Sequence, residues 1–452
     1  LMNDMTPVSP CFLPRYAREN VPRYTSYPPA TKFHDGVGDP DWANWLETLP
    51  SSPSLSLYVH IPFCRAMCWY CGCNTTIPNK DSRIARYLEA LHLEIDRKAA
   101  TSPVAGNVQS IHFGGGSPDM LSPERFAALM GRLRDQFNIS STAQISVELD
   151  PRGLTPALAE SMARCGVNRA SLGVQDLSDE VQRLIHRIQP QQTVSAAVHN
   201  LRAAGINAIN MDIMYGLPAQ TVERVRHTAR RVAELQPDRL AVFGYAHVPW
   251  FKKHQKAIPE DRLPDSEQRF AQMQAASSVL TSSGYQPVGM DHFAQHSDGL
   301  SAAVRAGTLR RNFQGYTDDN YDALIGLGAS AISDTKRGFA QNIVDPSRYA
   351  DAILAGESAI ARGVQRTEQD IRIGQLIETL MCQFELPLES VFQMKLGRVA
   401  NRDMFELWND GLVEIDEGML SVTELGRPYV RSIATRLDPA FAAKERLHSQ
   451  AV

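Results

Sequence analysis

The sequence predicts an α/β fold built on a parallel sheet, either open or curled into a barrel, with an extended arm before it and a mainly helical unit after it. Three observations carry that expectation. Between residues 55 and 246 six short apolar runs alternate with segments of helical periodicity, a rhythm that calls for parallel strands joined by right-handed crossovers. Polar residues recur where each apolar run ends, the place where such sheets build their sites. After residue 365 the rhythm gives way to helices and one hairpin.

The arm, residues 1–50, contains Pro22-Arg23-Tyr24-Thr25-Ser26-Tyr27-Pro28-Pro29, whose prolines argue against helix and for extended, packed chain. The central unit spans 51–365, with its core at about 55–250. Its strands are Leu55 to His60, Val108 to Phe113, Gln144 to Leu149, Arg169 to Gly173, Asn207 to Ile213 and Arg239 to Ala246. Its helices are Arg83 to Ala100, Pro123 to Phe137, Pro156 to Cys165, Thr193 to Ala204 and Thr221 to Leu235. Beyond 250, Gly289 to Ala294 and Arg311 to Thr317 read as ordered loops. The last unit, 366–452, opens on a capping box at Thr367-Glu368-Gln369-Asp370. A helix from Arg402 to Asn409 and a hairpin around Asp416-Glu417-Gly418 then make it winged-helix-like.

Composition narrows the function classes. A hydrophobic content of 43%, a charged content of 21% and a net charge of -4 describe a soluble globular protein with no field suited to nucleic acid. The acidic residues Asp403, Glu406, Asp410, Glu414, Asp416 and Glu417 give the winged unit the wrong sign for phosphates. No run reaches the roughly 18 apolar residues of a membrane span. Seven cysteines, clustered and odd in number, fit a reducing cytoplasm better than a disulfide framework.

Four of those seven cysteines stand in Cys64-Arg65-Ala66-Met67-Cys68-Trp69-Tyr70-Cys71-Gly72-Cys73, on a loop leaving the first strand. A structural zinc site usually draws two separated cysteine pairs, and no second pair occurs. Three cysteines on one short loop instead suit a cubane iron–sulfur cluster whose fourth iron stays open to an outside ligand. The glycines Gly114, Gly115 and Gly116, followed by Ser117, end the second strand and let backbone approach a polar headgroup. Cys11, Cys165 and Cys382 read as ordinary thiols.

The spacing of Cys64, Cys68 and Cys71 resembles the signature of the radical S-adenosylmethionine (SAM) superfamily, which uses a partial (β/α)6 TIM-like barrel. Outside that core, Pro22 to Pro28, Cys73, Gly173-Val174-Gln175-Asp176, Tyr215-Gly216-Leu217-Pro218, Gly289 to Phe293 and Asn312 to Thr317 resemble oxygen-independent coproporphyrinogen III oxidases. The resemblance runs from about residue 20 to the final hairpin. It implies oxidative decarboxylation of two propionates of coproporphyrinogen III to vinyl groups, giving protoporphyrinogen IX in anaerobic haem synthesis. Cys64, Cys68 and Cys71 would hold a [4Fe-4S] cluster, with Cys73 a family mark. Tyr58, Tyr70, Gly115 and Glu148 would contact the cluster-bound SAM. A second SAM would meet Gly116, Ser117, Gln175, Arg187, Asp212, Ala246 and Ile332. Substrate carboxylates need cations or donors, and Arg23, Tyr24, His292, Arg310 and Arg311 are the candidates.

By the same resemblance an external flavodoxin-type donor reduces the cluster, SAM is cleaved to a 5'-deoxyadenosyl radical, and that radical takes a propionate β-hydrogen. A monomer is expected. Serine at 117 and tyrosine at 70, where the family more often has threonine and phenylalanine, keep a hydroxyl and an aromatic face. The rival readings are a related haem-binding chaperone, which typically lacks the fourth cysteine and the arm, a haem-degrading radical methyltransferase, and a winged-helix redox sensor.

Overall fold

The computed structural model describes residues 10–102, 106–393, 398–439, 441, 450 and 451. The first residues of the arm and most of 440–452 in the last unit therefore lie outside the described residues.

Six strands, β1 (Ser54–Ile61), β2 (Asn107–Gly115), β3 (Ile139–Leu149), β4 (Arg169–Gln175), β5 (Ala208–Tyr215) and β6 (Arg239–Gly244), lie side by side in chain order, and every neighbouring pair is parallel. Helices Asp81–Thr101, Pro123–Gln136, Pro156–Arg164, Gln191–Ala203 and Val222–Ala233 supply the crossovers, each within a few residues of its expected bounds. A further short helix, Asp179–Leu184, was not legible in the sequence. Six residues carry too little periodicity to stand out.

One face of each strand is apolar. Leu55, Leu57, Val59 and Ile61, then Ile111 and Phe113, then Val147, Leu172 and Met211 are buried in one large core with the helices. The alternate residues Tyr58, His112, Ser146, Glu148, Ser171, Asn210 and Asp212 share the opposite face, as their cross-strand contacts require. The inner face of the curled sheet is therefore polar, suited to ligand rather than to packed side chains.

The sheet does not stop at these six. Strands β7 (Gln286–Val288) and β8 (His292–Ala294) extend it antiparallel beyond β6. A separate hairpin joins β9 (Arg310–Asn312) to β10 (Gly315–Thr317). Strands β11 (Ala323–Leu327), β12 (Ile332–Thr335), β13 (Gly338–Asn342) and β14 (Ile360–Gln365) continue the main sheet from β1. The segments 289–294 and 311–317, expected as loops, thus contain short strands. Three-residue strands show no alternation, and only their buried partners, such as Leu240 opposite Phe293, select the extended form.

Thr367 caps the helix Glu368–Gln383 through the box anticipated with Asp370. After it come β15 (Glu385–Pro387), the helix Arg398–Asn409, β16 (Val413–Asp416) and β17 (Met419–Val422), which make a small three-stranded sheet. Its core includes Ile373, Ile377, Leu380, Leu420 and Ile433, and also Tyr16, Tyr24 and Tyr27 of the arm and Phe270 of the helix Ser266–Ser282. The arm and the C-terminal residues thus share one apolar core. The arm also contains a helix, Asp39–Leu46, whose Trp42 and Trp45 belong to the main core. Among the described residues no helix is long and apolar enough to cross a membrane.

Candidate active site

The cysteine loop leaves β1 through Pro62 and doubles back, with Thr76 N–H donating to Pro62 O at 2.8 Å and Cys64 N–H to Thr76 O at 3.1 Å. Its far side is fixed by Trp69 N–H to Ile185 O (3.0 Å), Gln255 Nε2 to Tyr70 O (3.0 Å), His254 Nε2 to Cys71 O (2.7 Å) and Lys252 Nζ to Cys73 O (2.9 Å). The sulfurs of Cys64, Cys68 and Cys71 each also meet a donor. Thr75 Oγ1 stands 3.0 Å from Cys64 Sγ, Arg187 Nη1 3.5 Å and Arg152 Nη2 3.7 Å from Cys68 Sγ, and Cys73 N 3.4 Å from Cys71 Sγ. Hydrogen bonding from Cys73 draws the Cys71 thiol down to about 7, whereas burial pushes the Cys64 thiol up to about 12.

This donor set fits an anionic thiolate-bound cluster. Among the described residues no three His, Cys, Asp or Glu side chains converge on one metal ion. A cubane does not ask for that, because each cysteine binds a different iron. Hydrogen bonds to the sulfurs are what such a cluster needs from the protein around it.

The glycine run ends β2 under tight constraint. A Cβ at Gly115, where φ is +110°, would fall 2.3 Å from the His60 ring, and one at Gly116 would fall 2.5 Å from Phe63 O. Only glycine allows the β2 end to lie this close to the root of the cysteine loop. Glu148 faces it, accepting Gly115 N–H on Oε2 at 3.2 Å and His112 Nε2 on Oε1 at 2.9 Å. Burial pushes the Glu148 carboxyl up, but His112 and the Gly115 amide outweigh it and hold the group below the usual range. His112 in turn meets Ser146 Oγ through Nδ1 at 2.7 Å and stacks on Tyr58 at 5.9 Å.

His60 has a defined tautomer. Burial lowers its pKa and favours the neutral ring. Nε2 lies 2.9 Å from the carbonyl of Asn74, so that nitrogen carries the proton. Nδ1 is left to accept the Tyr58 hydroxyl at 3.0 Å. The Tyr58 oxygen keeps its lone pairs for a ligand.

The residues expected around a second SAM form a neighbouring group. Ser117 Oγ contacts Asp119 and accepts Asp150 N–H at 3.0 Å. Arg187 spans Asp150 Oδ2 (3.0 Å), Gly173 O (2.7 Å) and Cys68 Sγ. Burial opposes its charge, but Tyr70, Asp150 and Cys68 raise its pKa. Gln175, in the left-handed region at φ +67°, sits beside Gly173, where a Cβ would meet its amide nitrogen at 2.7 Å. Asp212 accepts Asn210 Nδ2 at 2.8 Å and Ser171 Oγ at 3.2 Å, and burial pushes its carboxyl up to about 6. Ala246 is tied to Tyr70 through Gln255, which donates to both carbonyls. Ile332 lies at the Tyr58 end instead: its backbone crowds Gly326, the partner of Tyr58 across β11 and β1.

The substrate candidates divide. Arg23 and Arg311 come together, with Arg311 Nη2 donating to Arg23 O at 3.3 Å and Arg23 Nη2 to Gly244 O at 3.5 Å. Arg311 lies over the Tyr316 ring at 4.5 Å, and its Nε and Nη1 are buried without a hydrogen-bond partner among the described residues. His292 Nδ1 is 2.6 Å from Asp291 Oδ1, and His292, Arg311 and Arg23 together hold the Asp291 carboxyl below its usual range despite burial. Tyr24 and Arg310 are committed elsewhere. Tyr24 Oη donates to Asp438 at 3.1 Å within the second core, and Arg310 pairs with Glu378 at 2.8 Å and Asn320 at 3.0 Å.

The chain matches the radical SAM superfamily over residues 58–232, from β1 to the last crossover helix. It is 45% identical to the oxygen-independent coproporphyrinogen III oxidase of Bradyrhizobium diazoefficiens over 97% of its own length and 98% of that protein. The chain belongs to the oxygen-independent coproporphyrinogen III oxidase family. The member from Escherichia coli is 39% identical over 94% of both chains. The solved structure of the coproporphyrinogen III oxidase HemN from Escherichia coli, described there as a radical SAM enzyme, superposes with a TM-score of 0.87 at 38% identity, covering 93% of this chain and 98% of that one.

Within this coproporphyrinogen III oxidase family member, sequence reading passed over His60, His112, Ser146, Arg152, Arg269 and Arg431 as site residues. His60, His112 and Ser146 had a usable signal, since each alternates with buried apolar residues and so faces the lumen with Tyr58 and Glu148. Arg269 and Arg431 had none. Arg269 Nη1 reaches Tyr245 O at 2.9 Å from the helix Ser266–Ser282, and Arg431 reaches Gln450 O at 2.5 Å from the C-terminal helix Val430–Thr435. Burial and the nearby Arg23 pull the Arg431 guanidinium down to about 10.

Proposed function

We propose that this chain oxidatively decarboxylates two propionate side chains of coproporphyrinogen III to vinyl groups, giving protoporphyrinogen IX without oxygen. The observation that carries the reading is the polar inner face of the sheet, which runs from the cysteine loop past Glu148 and Asp212 towards Arg23 and Arg311. Asp212 lies within electrostatic reach of both Glu148 and His292. When bound, a [4Fe-4S] cluster on Cys64, Cys68 and Cys71 and its SAM supply the 5'-deoxyadenosyl radical that removes a β-hydrogen.

The protein's own part is position and exclusion. Glu148, below its usual pKa and braced by His112, presents ionised oxygens to an ammonium. Tyr58 offers lone pairs, its proton being given to His60. The Gly115 and Gly116 backbone lies against His60 and Phe63 where no side chain would fit, which holds the end of β2 at the root of the cysteine loop. A second SAM is placed with Gly116, Ser117, Gln175, Arg187, Asp212 and Ala246, and Ile332 at the margin of the first. Arg187 can pair a carboxylate and Asp212 can accept hydroxyls. Arg23 and Arg311 take substrate propionates; among the described residues two buried Arg311 nitrogens lack partners, and a carboxylate would satisfy them. The enzyme is placed in the cytoplasm as a monomer, served by an external one-electron donor of the flavodoxin type.

The test is anaerobic reconstitution with iron and sulfide, then incubation with coproporphyrinogen III, SAM and a reductant. Carbon dioxide, deoxyadenosine and protoporphyrinogen IX should appear together. Deoxyadenosine without loss of carbon dioxide would remove the decarboxylase assignment.

A further inference from the structure

SAM cleavage in the reaction above takes an electron from outside, a second electron being released as carbon dioxide leaves, and one surface is built against the loop that would receive the first. Residues 250–257, Trp250-Phe251-Lys252-Lys253-His254-Gln255-Lys256-Ala257, carry three lysines and no carboxylate in a chain whose net charge is -4. The segment is bolted to the cysteine loop: Lys252 holds Cys73 O, His254 holds Cys71 O, and the buried Gln255 holds Tyr70 O. The two aromatic side chains are turned outward. Trp250 is 63% and Phe251 75% exposed, large for apolar residues, and Lys252 sits over the Phe251 ring at 5.4 Å. Lys253 and Lys256 are exposed beside them, and so are Gly72 and Cys73 of the loop itself. An approaching protein therefore meets apolar anchors, a cationic rim and the cysteine-loop backbone at one place.

We propose that this surface docks an acidic one-electron carrier protein, which reduces the cluster through the Cys71–Cys73 side of the loop; the inference rests on the radical SAM reading of the site. Exposed aromatics supply the desolvated centre that binding hot spots need, and lysines steer an oppositely charged partner into place. The C-terminal aromatics Phe405 and Trp408 are also exposed, but Glu406 and Asp410 beside them have the wrong sign for such a carrier.

The experiment compares the wild type with a Lys253→Glu/Lys256→Glu variant and a Trp250→Ser variant, each driven by dithionite and, separately, by a reduced flavodoxin. Both variants should keep their dithionite-driven deoxyadenosine formation within about twofold, while the flavodoxin-driven rate at limiting carrier falls by roughly tenfold or more in the charge-reversed protein. Binding of oxidised flavodoxin, followed by fluorescence anisotropy without turnover, should weaken in parallel, and added salt should weaken the wild type but hardly affect the charge-reversed variant. Unchanged flavodoxin binding and rate in both variants would place the carrier elsewhere. Equal losses with both reductants would show that the segment only shapes the loop. No deoxyadenosine from the wild type with dithionite would overturn the reading of the site, and the docking surface with it.

Discussion

Tyr58, His60, His112, Ser146 and Glu148 satisfy one another across three neighbouring strands, whereas Arg23, Arg311 and Arg431 crowd around Asp291 from three distant parts of the chain, with Arg269 beside Arg23. The first group is complete in itself: its histidines are fixed by hydrogen bonds and its carboxylate is matched. The second is not, because among the described residues Arg311 keeps two buried nitrogens without partners, and burial lowers the pKa of Arg431. A matched group presents a preorganised surface to a ligand that is always the same. An excess of positive charge, part of it buried, suits a ligand that brings carboxylates.

Breaking the first region at its root has the largest effect. Cys71→Ser should abolish both bound iron and SAM cleavage, read by metal analysis and deoxyadenosine formation, while Cys165→Ser, at a buried thiol where a helix ends, should leave both largely intact. An unchanged iron content in Cys71→Ser would sink the ligand assignment. In the second region, Arg311→Met should lower kcat/KM for coproporphyrinogen III by roughly 10²-fold, the cost of removing one partner from a buried charge pair, and leave substrate-free SAM cleavage alone. Loss of SAM cleavage in that variant would mean the arginine group serves the cofactor and not the substrate.

A smaller effect separates preorganisation from charge. His112→Ala removes one donor from Glu148 and should raise the KM for SAM roughly tenfold, in line with about 1.5 kcal/mol for a hydrogen bond to a charged group. Asp212 sharpens the same contrast through pH. Burial raises its carboxyl from the ordinary 3.8 to about 6, so its power to accept hydroxyls is lost as pH falls through about 6. SAM affinity should therefore fall along an acid limb with a midpoint near 6, and Asp212→Asn should erase that limb. The same shift means the folded chain binds this proton more tightly than the unfolded one, so its contribution to stability declines as pH rises from about 4 to about 6. Smallest of all, Tyr24→Phe should cost about 1 kcal/mol in denaturant unfolding and little activity, because Asp438 also accepts the Tyr27 hydroxyl at 2.9 Å.

Of the first region, Tyr58 and Glu148 were legible in the chain before folding, as were the cysteine loop and the glycines beside them. Cys64, Cys68, Cys71, Gly115 and Glu148 lie at the ends of consecutive strands, and a strand's alternation states which side chains share its inner face. The same local rule produced the six parallel strands and their five crossover helices within a few residues. His60 and His112 escaped notice only because they sit inside runs read as uniformly apolar. The short strands β8 to β10 escaped because three residues show no period, and their extended form is chosen by the neighbours they pair with.

The amino-acid order by itself determined the barrel strands, the cysteine loop and the glycine approach, since each depends on contacts within a strand, a turn or a single crossover. Only the tertiary structure decided what stands opposite that loop. Arg23 arrives with the arm, Arg269 with the helix Ser266–Ser282, Arg311 with β9 and Arg431 with the C-terminal helix, and Tyr24, which looked like one of them, turns into the second core. No local pattern marks such residues, because a guanidinium far along the chain acquires its neighbours only when burial of Tyr16, Tyr24, Phe270 and Ile433 brings the arm and the last unit together.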